Sequence, residues 1–199
     1  MEIERLYTAF LNATEISTDT RTLKKGALFF ALSGPNFDGN RFATEALEKG
    51  AQHVVVDDPK TLPNHPKILS VENTLTALQQ LATHHRKKLN TPIIALTGSN
   101  GKTTTKELIR EVLQKKFKVL ATSGNLNNHI DVPLTLLQLT VQHQIGIIEM
   151  GANQLNEIRN LCEIALPNWG YITNFGKAHL EGFGSEAGVI QGKSELYKH

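Results

Sequence analysis

The clearest chemistry in this sequence lies in the stretch TGSNGKTTT, residues 97–105, directly after the apolar run PIIAL. Its two glycines allow a tight turn and a close approach of the backbone to a ligand. Lys102 adds a full positive charge, and the hydroxyl of Thr103 suits Mg2+. We therefore predict a site for the phosphates of a nucleoside triphosphate, built from Gly98, Ser99, Asn100, Gly101, Lys102, Thr103 and Thr104.

The spacing in this loop is Gly-x-x-Gly-Lys-Thr, two residues shorter than the common Gly-x-x-x-x-Gly-Lys-Ser/Thr. The alternative is a glycine turn that precedes a helix and binds nothing. A strand-like run before the loop and a helical pattern after it favour phosphate binding. The loop alone leaves the reaction open. A nucleotide-dependent switch or a kinase would need an aspartate at a strand end or a switch loop, and here the charged strand end is Glu149.

Four other candidates follow strand-like runs further along the chain. Glu149 falls at the end of IGIIEM, where a carboxylate is costly unless it faces a cation, so we expect it to bind Mg2+. His179, in the glycine-rich GKAHLEGFGS, would by residue type alone be an ordinary surface or core histidine. Asn125 and Asn128 belong to an asparagine-rich run, which by itself indicates a turn.

The elements that must position these residues alternate between strand and helix. The second half predicts strands at IIALT, KVLAT, IGIIEM and GYITN, and helices over TTKELIREVLQKKF and QLNEIRNLCEIA. Leu108 and Val112 fall on the expected apolar side of the first of these helices. Such alternation predicts a parallel sheet with covered faces, whose ligands collect at the carboxyl ends of the strands.

The first half predicts a smaller α/β domain. Its strands are expected at ALFFAL, HVVVDD and KILSV, and its helices over RFATEALEKG and TLTALQQLATHHRKKL. The tripeptide NTP, residues 90–92, interrupts the last helix pattern. We therefore place a domain boundary there, between residues 1–90 and 91–199.

Composition narrows the function classes. The chain has 199 residues, a formal net charge of +2 and one cysteine, Cys162. So small a charge does not indicate nucleic-acid or membrane-surface binding, and a single cysteine fits a reducing compartment. No apolar stretch approaches the ~20 residues of a membrane helix, and the start MEIERLYTAF is no signal peptide. We expect a cytoplasmic protein without nucleic-acid or membrane partners.

The segment TGSNGKTTTKELI resembles the ATP loop of the Mur ligases, the ATP-dependent amide-forming enzymes of peptidoglycan synthesis. Three later segments are similar to that family in the same order. They are the substrate loop and helix GNLNNHIDVPLTLL, the acidic strand end IIEMGAN, and ITNFGKAHLEGFGSEAGVIQGKSEL with its metal-binding histidine and modified lysine. The earlier segment STDTRTLKKGALFFALSGPNFDGNRFATEALEKGA resembles the family's uridine-binding domain, with Thr20 in place of the usual serine.

The resemblance implies a role for each candidate. Residues 98–104 would bind ATP, and the catalytic residues would be Lys102, Glu149, His179 and Lys193. Two Mg2+ ions would be held by Thr103, Glu149, His179 and Lys193, the last after carbamylation by CO2, although Lys193 by residue type alone is an ordinary helix lysine. Substrate contacts would come from Thr20, Arg21, Asp38, Gly39, Asn40, Asn125 and Asn128. Arg21 could pair a phosphate or form a structural salt bridge, and the sequence does not separate these alternatives.

Within the family, EMGA and the Lys-Glu after the triple threonine are most like the member that adds D-alanyl-D-alanine to UDP-N-acetylmuramoyl-tripeptide. The implied reaction passes through an acyl phosphate. Alternatives are another Mur-type or folylpolyglutamate-type ligase, or a non-catalytic module that binds the UDP-linked substrate. The family continues past KSELYKH into the rest of its ATPase sheet and a third domain. We therefore expect a monomeric amino-terminal fragment without amide-forming activity of its own.

Overall fold

A computed structural model describes residues 2–61, 65–177 and 179–199. The chain forms two compact units, Met1–His84 and His85–His199. Both units are built from parallel β-strands and α-helices, which confirms the predicted α/β class. None of the helices in these ranges combines the length and apolar character needed to cross a lipid bilayer.

The first unit contains a four-stranded parallel sheet in the order β1-β2-β5-β6. Its other elements include three α-helices, the last of which continues past His84, and the short hairpin β3-β4. The bounds are α1 Ile3–Leu11, β1 Ile16–Ser17, β2 Leu28–Phe30, β3 Ser33–Gly34, β4 Phe37–Asp38, α2 Ala43–Glu48, β5 His53–Val56, β6 Ile68–Ser70 and α3 Thr74–Leu89. Its core packs α2 on the sheet through Phe29, Ala43, Ala46, Val54 and Val56. β2 is buried along its whole length, as its unbroken apolar sequence indicates.

The second unit contains a four-stranded parallel sheet in the order β10-β7-β9-β8. Its bounds are β7 Ile93–Thr97, α4 Lys102–Leu113, β8 Val119–Ala121, α5 Asp131–Leu136, β9 Ile145–Glu149, α6 Glu157–Ala165, β10 Trp169–Ile172, α7 Leu180–Phe183 and α8 Glu186–Ser194. Leu96 pairs with Glu149, and Thr97 pairs with Ile172. These strands therefore end side by side, and the loops that follow them meet at one edge of the sheet.

Helix α4 departs from the prediction in its buried face. Its exposed side carries Leu108 and Val112, whose exposed fractions are 63% and 71%, while Lys106 is fully buried. The expected apolar side was therefore wrong at these two residues. Successive residues turn by about 100° in a helix, so a buried Lys106 forces Leu108, about 200° further round, towards solvent. The helix begins at Lys102, earlier than predicted, because the Lys-Thr pair of the loop already forms its first turn.

The predicted boundary at residue 90, with a uridine domain before it and an ATP domain after it, stays a prediction.

Candidate functional site

The loop between β7 and α4 has the geometry of a phosphate-binding loop. Gly98 has a φ of 145° and Gly101 a φ of 76°, both in the region that favours glycine. A side chain on Gly98 would collide with the hydroxyl of Thr173. The first turn of α4 starts at Lys102, so its N–H groups have no carbonyl partner earlier in the helix. Lys102 Nζ donates to the carbonyl of Gly98 at 2.9 Å, which places the ammonium over the loop.

Residues 173–176, directly after β10, hold this loop from the side, and we call them the clasp. The main-chain N–H of Asn100 donates to Asn174 Oδ1 at 3.1 Å, and Asn174 Nδ2 donates back to the Asn100 carbonyl at 3.1 Å. Thr173 Oγ1 also donates to that carbonyl, at 2.6 Å. Ser99 completes the contact through two bonds, its N–H to the Asn174 carbonyl at 3.1 Å and its Oγ to the Gly176 carbonyl at 3.0 Å.

Glu149 lies at the end of β9, beside the start of α4, and is fully buried. Its Oε1 accepts hydrogen bonds from Asn127 Nδ2 at 2.8 Å and from Thr103 Oγ1 at 3.4 Å. Its Oε2 is buried with no hydrogen-bond partner among the described residues. A buried carboxylate oxygen without a donor is costly, and a cation would satisfy it. The fold therefore brings together two of the predicted metal ligands, Thr103 and Glu149.

Lys193 is buried in α8 and reaches the segment that follows β9. Its Nζ donates to the carbonyl of Ala152 at 3.0 Å and lies 5.3 Å from the centre of the Phe183 ring. Burial, and next the positive charge of Lys102, lower the pKa of Lys193 to about 8. Lys193 is thus no ordinary surface lysine.

His179 is exposed and has a φ of 55°, immediately before α7. Within the described ranges, no three His, Cys, Asp or Glu side chains form a group that could hold a metal ion. The predicted ligand set contains only two such side chains, Glu149 and His179, beside Thr103 and a modified lysine. The metal role of His179 stays a prediction.

The three asparagines that follow β8 make different contacts. Asn128 Oδ1 accepts the N–H groups of Ile130 at 2.8 Å and Asp131 at 3.0 Å, which starts α5. Asn125 is exposed. Asn127, which the sequence analysis did not select, is the member that contacts Glu149. The three amides look alike in sequence, and only the fold shows which one points at the carboxylate.

In the first unit, the predicted substrate residues follow β1 and β2 at the carboxyl edge of the sheet. Asn40 is buried, and its Nδ2 donates to Asp38 Oδ1 at 3.0 Å and to Asp57 Oδ1 at 2.8 Å. Asp57 Oδ2 in turn accepts the N–H of Thr74 at 3.1 Å. A side chain on Gly39 would collide with the carbonyl of Leu32. Asn40 and Asp57 together thus tie three loops of this edge. Asp57 is a site residue that the sequence analysis did not select, although it belongs to the acidic pair in HVVVDD.

Arg21 forms the salt bridge that was one of its two predicted roles, and it remains exposed enough for the other, phosphate binding. Its Nε donates to Asp19 Oδ1 at 2.9 Å and its Nη2 to Asp19 Oδ2 at 2.6 Å, so a bidentate ion pair forms. The Arg21 hydrogen bonds lower the pKa of Asp19 to about 2. The side chain of Arg21 is still 86% exposed. Thr20 beside it is buried, and its carbonyl accepts a bond from Lys49 Nζ at 2.9 Å.

Each of the two units matches a known protein family. Residues 96–199 match the family described as Mur ligase middle domain, and residues 12–86 match the one described as Mur ligase family, catalytic domain. The chain belongs to the Mur ligase family. This confirms the resemblance drawn from the phosphate loop and the segments after it. The roles of the individual Mur ligase residues in this chain stay predictions.

Curated relatives and solved structures agree with this assignment. The UDP-N-acetylmuramoyl-tripeptide--D-alanyl-D-alanine ligase of Haemophilus influenzae is 45% identical over 92% of this chain and 41% of its own length. The enzyme of the same name from Bacillus subtilis is 42% identical over 91% of this chain and 40% of its own length. The chain thus spans about two fifths of these Mur ligases.

Among solved structures, MurF from Acinetobacter baumannii superimposes with a TM-score of 0.89 and 36% identity, covering 99% of this chain and 46% of that protein. MurF ligase from Thermotoga maritima in complex with ADP superimposes with a TM-score of 0.87 and 33% identity, covering 96% of this chain and 44% of that protein. The fold of both Mur ligase units therefore follows that of solved MurF structures.

Proposed function

We propose that this chain carries the UDP-substrate and ATP sites of a ligase that joins D-alanyl-D-alanine to UDP-N-acetylmuramoyl-tripeptide. The observation that carries the proposal is the buried carboxylate of Glu149, with one open oxygen, beside Thr103 at the start of α4. A phosphate loop followed by a strand-end carboxylate is an arrangement for MgATP. The names of the relatives supply the acceptor and the amine.

In the proposed reaction, the peptide carboxylate attacks the γ-phosphorus of ATP, giving an acyl phosphate and ADP. The amine of D-alanyl-D-alanine then attacks the acyl carbon. The tetrahedral intermediate expels phosphate and loses a proton, leaving an amide. Two anions must meet in the first step, so positive charge is required. Lys102 and the N–H groups at the start of α4 supply it from this chain.

The residues present fit a Mg2+ ion at one point. Glu149 Oε2 offers a buried anionic oxygen, and Thr103 a hydroxyl, both of which Mg2+ accepts as ligands. When bound, two Mg2+ ions would neutralise charge on the phosphates and on the attacking carboxylate. We propose His179 and Lys193 as the remaining ligands. CO2 would bond to the neutral amine of Lys193 with loss of one proton, and the lowered pKa of Lys193 favours that neutral form.

For the UDP end, we propose the carboxyl edge of the first sheet, with Thr20, Arg21, Asp38, Gly39 and Asn40. The exposed guanidinium of Arg21 has N–H groups beyond those used by Asp19 and suits a diphosphate. Asn40 then acts by holding Asp38 and the loop, since its amide is already occupied. Asn125 and Asn128 are proposed contacts of the muramoyl-peptide end. We further propose a cytoplasmic monomer, consistent with small-molecule substrates.

Calorimetric titration of UDP-N-acetylmuramoyl-tripeptide into this chain tests the proposal, with UDP alone and a folate as comparison ligands. We expect saturable binding of the muramoyl compound, tighter than that of UDP, and no binding of the folate. A folded chain, by circular dichroism, that binds none of the UDP compounds would contradict the proposal. Folate binding would instead point to a folylpolyglutamate-type ligase.

A further inference from the structure

Lys106 is the buried residue of α4, a helix that the structure describes over its whole length, and its exposed fraction is 0%. Its Nζ donates to the carbonyls of Thr122 and Gly124, the latter at 2.7 Å. It also pairs with the carboxylate of Glu107 at 3.0 Å. All three N–H donors of this ammonium therefore have partners, two of which lie in the segment after β8.

A charged side chain is an expensive choice at this position. Burial of an ammonium costs free energy, and a methionine of similar length would fill the same space and bury apolar surface. On stability alone, α4 would therefore face the sheet with an apolar side chain. The proposed nucleotide and metal contacts use Lys102 and Thr103 and leave Lys106 without a task. What the charged Lys106 provides, and an apolar side chain would not, is therefore its hydrogen bonds to the segment after β8.

Those bonds fix one end of residues 122–128, which we call the asparagine loop. The Thr122 hydroxyl accepts the N–H of Glu149 at 3.0 Å. Near the other end, Asn127 donates to Glu149 Oε1, and its carbonyl accepts the N–H of Gly151 at 2.8 Å. Between these two anchors, residues 123–126 are exposed to solvent. The backbone of β9 therefore anchors Thr122, at the start of the loop, through the Ile147 carbonyl and the Glu149 N–H. Lys106 holds the carbonyls of Thr122 and Gly124 and is the side-chain anchor that extends into the loop, while Glu149 and Gly151 hold its end.

We propose that Lys106 is a positioning residue that sets the place of the asparagine loop relative to the phosphate loop. Helix α4 starts with Lys102 and carries Lys106 one turn later. One rigid element then holds both the nucleotide phosphates and the loop that carries Asn125. Phosphoryl transfer needs the γ-phosphate and the carboxylate within a narrow distance, so a common rigid support has a direct use. This inference rests on the proposed function, because that function places substrate at the asparagine loop.

The test compares the parent chain with Lys106→Met, which removes the donors, and Lys106→Arg, which keeps donors and charge. Lys115→Met removes an exposed charge just after the same helix and serves as the matched control. Hydrogen exchange measured by mass spectrometry reports on residues 122–128 and, for comparison, on β7. In Lys106→Met we expect exchange about tenfold faster in the asparagine loop, with β7 changed by less than about twofold.

Calorimetry of the same variants measures how the substitutions change ligand affinity. For Lys106→Met we expect UDP-N-acetylmuramoyl-tripeptide to bind about tenfold more weakly, with ATP affinity held within about twofold. Lys106→Arg should recover at least part of both effects, and Lys115→Met should match the parent. General destabilisation would weaken ATP binding and speed exchange in β7 as well. Effects confined to substrate affinity and to exchange in the asparagine loop would therefore be specific to Lys106.

Unchanged exchange in residues 122–128, or unchanged substrate affinity in Lys106→Met, would overturn the inference. If Lys106→Met does not fold, Lys106→Gln takes its place. Failure of both variants to fold would also overturn the inference, because Lys106 would then be required for the core itself. If the parent chain itself binds no muramoyl compound, the proposed function fails, while the exchange data alone still decide whether Lys106 orders the loop.

Discussion

The two oxygens of Glu149 have different surroundings. Oε1 accepts bonds from Asn127 and Thr103, while Oε2 is buried without a donor among the described residues. Leaving a buried acceptor unpaired costs about 1–3 kcal/mol, and more for a charged group. The fold accepts this cost where α4 begins beside the phosphate loop. A cation at that point would satisfy the open anionic oxygen, as the proposed Mg2+ site requires.

Glu149→Gln keeps the shape of the side chain and removes its charge. We expect Mg2+ to strengthen ATP binding in the parent chain, and to do so about tenfold less in the variant, because a neutral amide is a poorer Mg2+ ligand. Calorimetric titrations of ATP with Mg2+ and with EDTA measure both ratios. The exposed Glu163→Gln is the control. Equal Mg2+ dependence in Glu149→Gln and the parent would remove Glu149 from the metal site.

The Asp19–Arg21 pair predicts a pH effect in the first unit. The pKa of Asp19 is about 2 in the folded chain, below its ordinary 3.8. The pair therefore contributes its full stabilisation above pH 3.8 and loses it as the pH falls towards 2. Arg21→Gln should move the pKa of Asp19 from about 2 towards 3.8. NMR titration of the Asp19 carboxyl carbon measures this. Lys24→Gln, whose partner is Glu15, should leave the pKa of Asp19 in place.

At the scale of elements, the clasp explains how a loop two residues shorter than usual keeps its shape. The N–H groups of Ser99 and Asn100 are both used by Asn174, through its carbonyl and its side chain. These two N–H groups are therefore occupied, whereas those of the first turn of α4 have no carbonyl partner within the helix. Because the clasp continues β10, the sheet itself holds the loop in place.

Asn174→Ala removes two of these hydrogen bonds, those with the N–H and the carbonyl of Asn100. We expect ATP to bind about tenfold more weakly, since a loop that is ordered only on binding loses roughly 1–1.5 kcal/mol of affinity. Calorimetric titration of ATP measures the change. Asn160→Ala, at an exposed position of α6, should bind ATP as the parent does. Parent-like affinity in Asn174→Ala would show that the loop is held without the clasp.

Elements with a strong local pattern were predictable from sequence. β7 at IIALT and α3 at TLTALQQLATHHRKKL were placed at their observed bounds, because an apolar run beside a proline and a periodic helix pattern decide them locally. The phosphate loop was recognisable because its glycines and Lys-Thr have a fixed spacing. The sequence left two partners open for Arg21, the nearby Asp19 and a substrate phosphate. The local pattern does not decide between them, because the guanidinium can pair with either.

Features that depend on long-range contacts were not predictable. The burial of Lys106 requires two carbonyls that lie 16 and 18 residues further along the chain. The contact of Asn127 with Glu149 joins a loop residue to the end of a strand 22 residues away. The clasp joins positions more than 70 residues apart. Nothing in the local pattern of residues 99–106 or 124–128 indicates these partners, because the parallel sheet brings them together only after folding.

At the scale of the whole chain, each unit repeats the same plan with its own sheet and its own loops at the carboxyl edge. In the first unit, Asn40 and Asp57 join the loops of that edge. In the second, Glu149 and the clasp do so. Parallel sheets bind ligands at this edge, so the plan provides one ligand edge in each unit. The ligands that we propose for these edges differ in chemistry, a uridine diphosphate for the first and a triphosphate for the second.

This assignment predicts that two ligands protect different parts of the chain. We expect UDP to slow hydrogen exchange in residues 17–57, and ATP with Mg2+ to slow it in residues 97–105 and 173–176. At a ligand concentration of about 100 Kd, binding adds about 2.7 kcal/mol to the opening free energy, so exchange through that opening should slow by up to about 100-fold. Mass spectrometry of the parent chain with each ligand alone measures the effect. Protection by UDP of residues 97–105, with residues 17–57 unchanged, would reverse the assignment, because UDP would then be acting as a poor nucleotide at the phosphate loop.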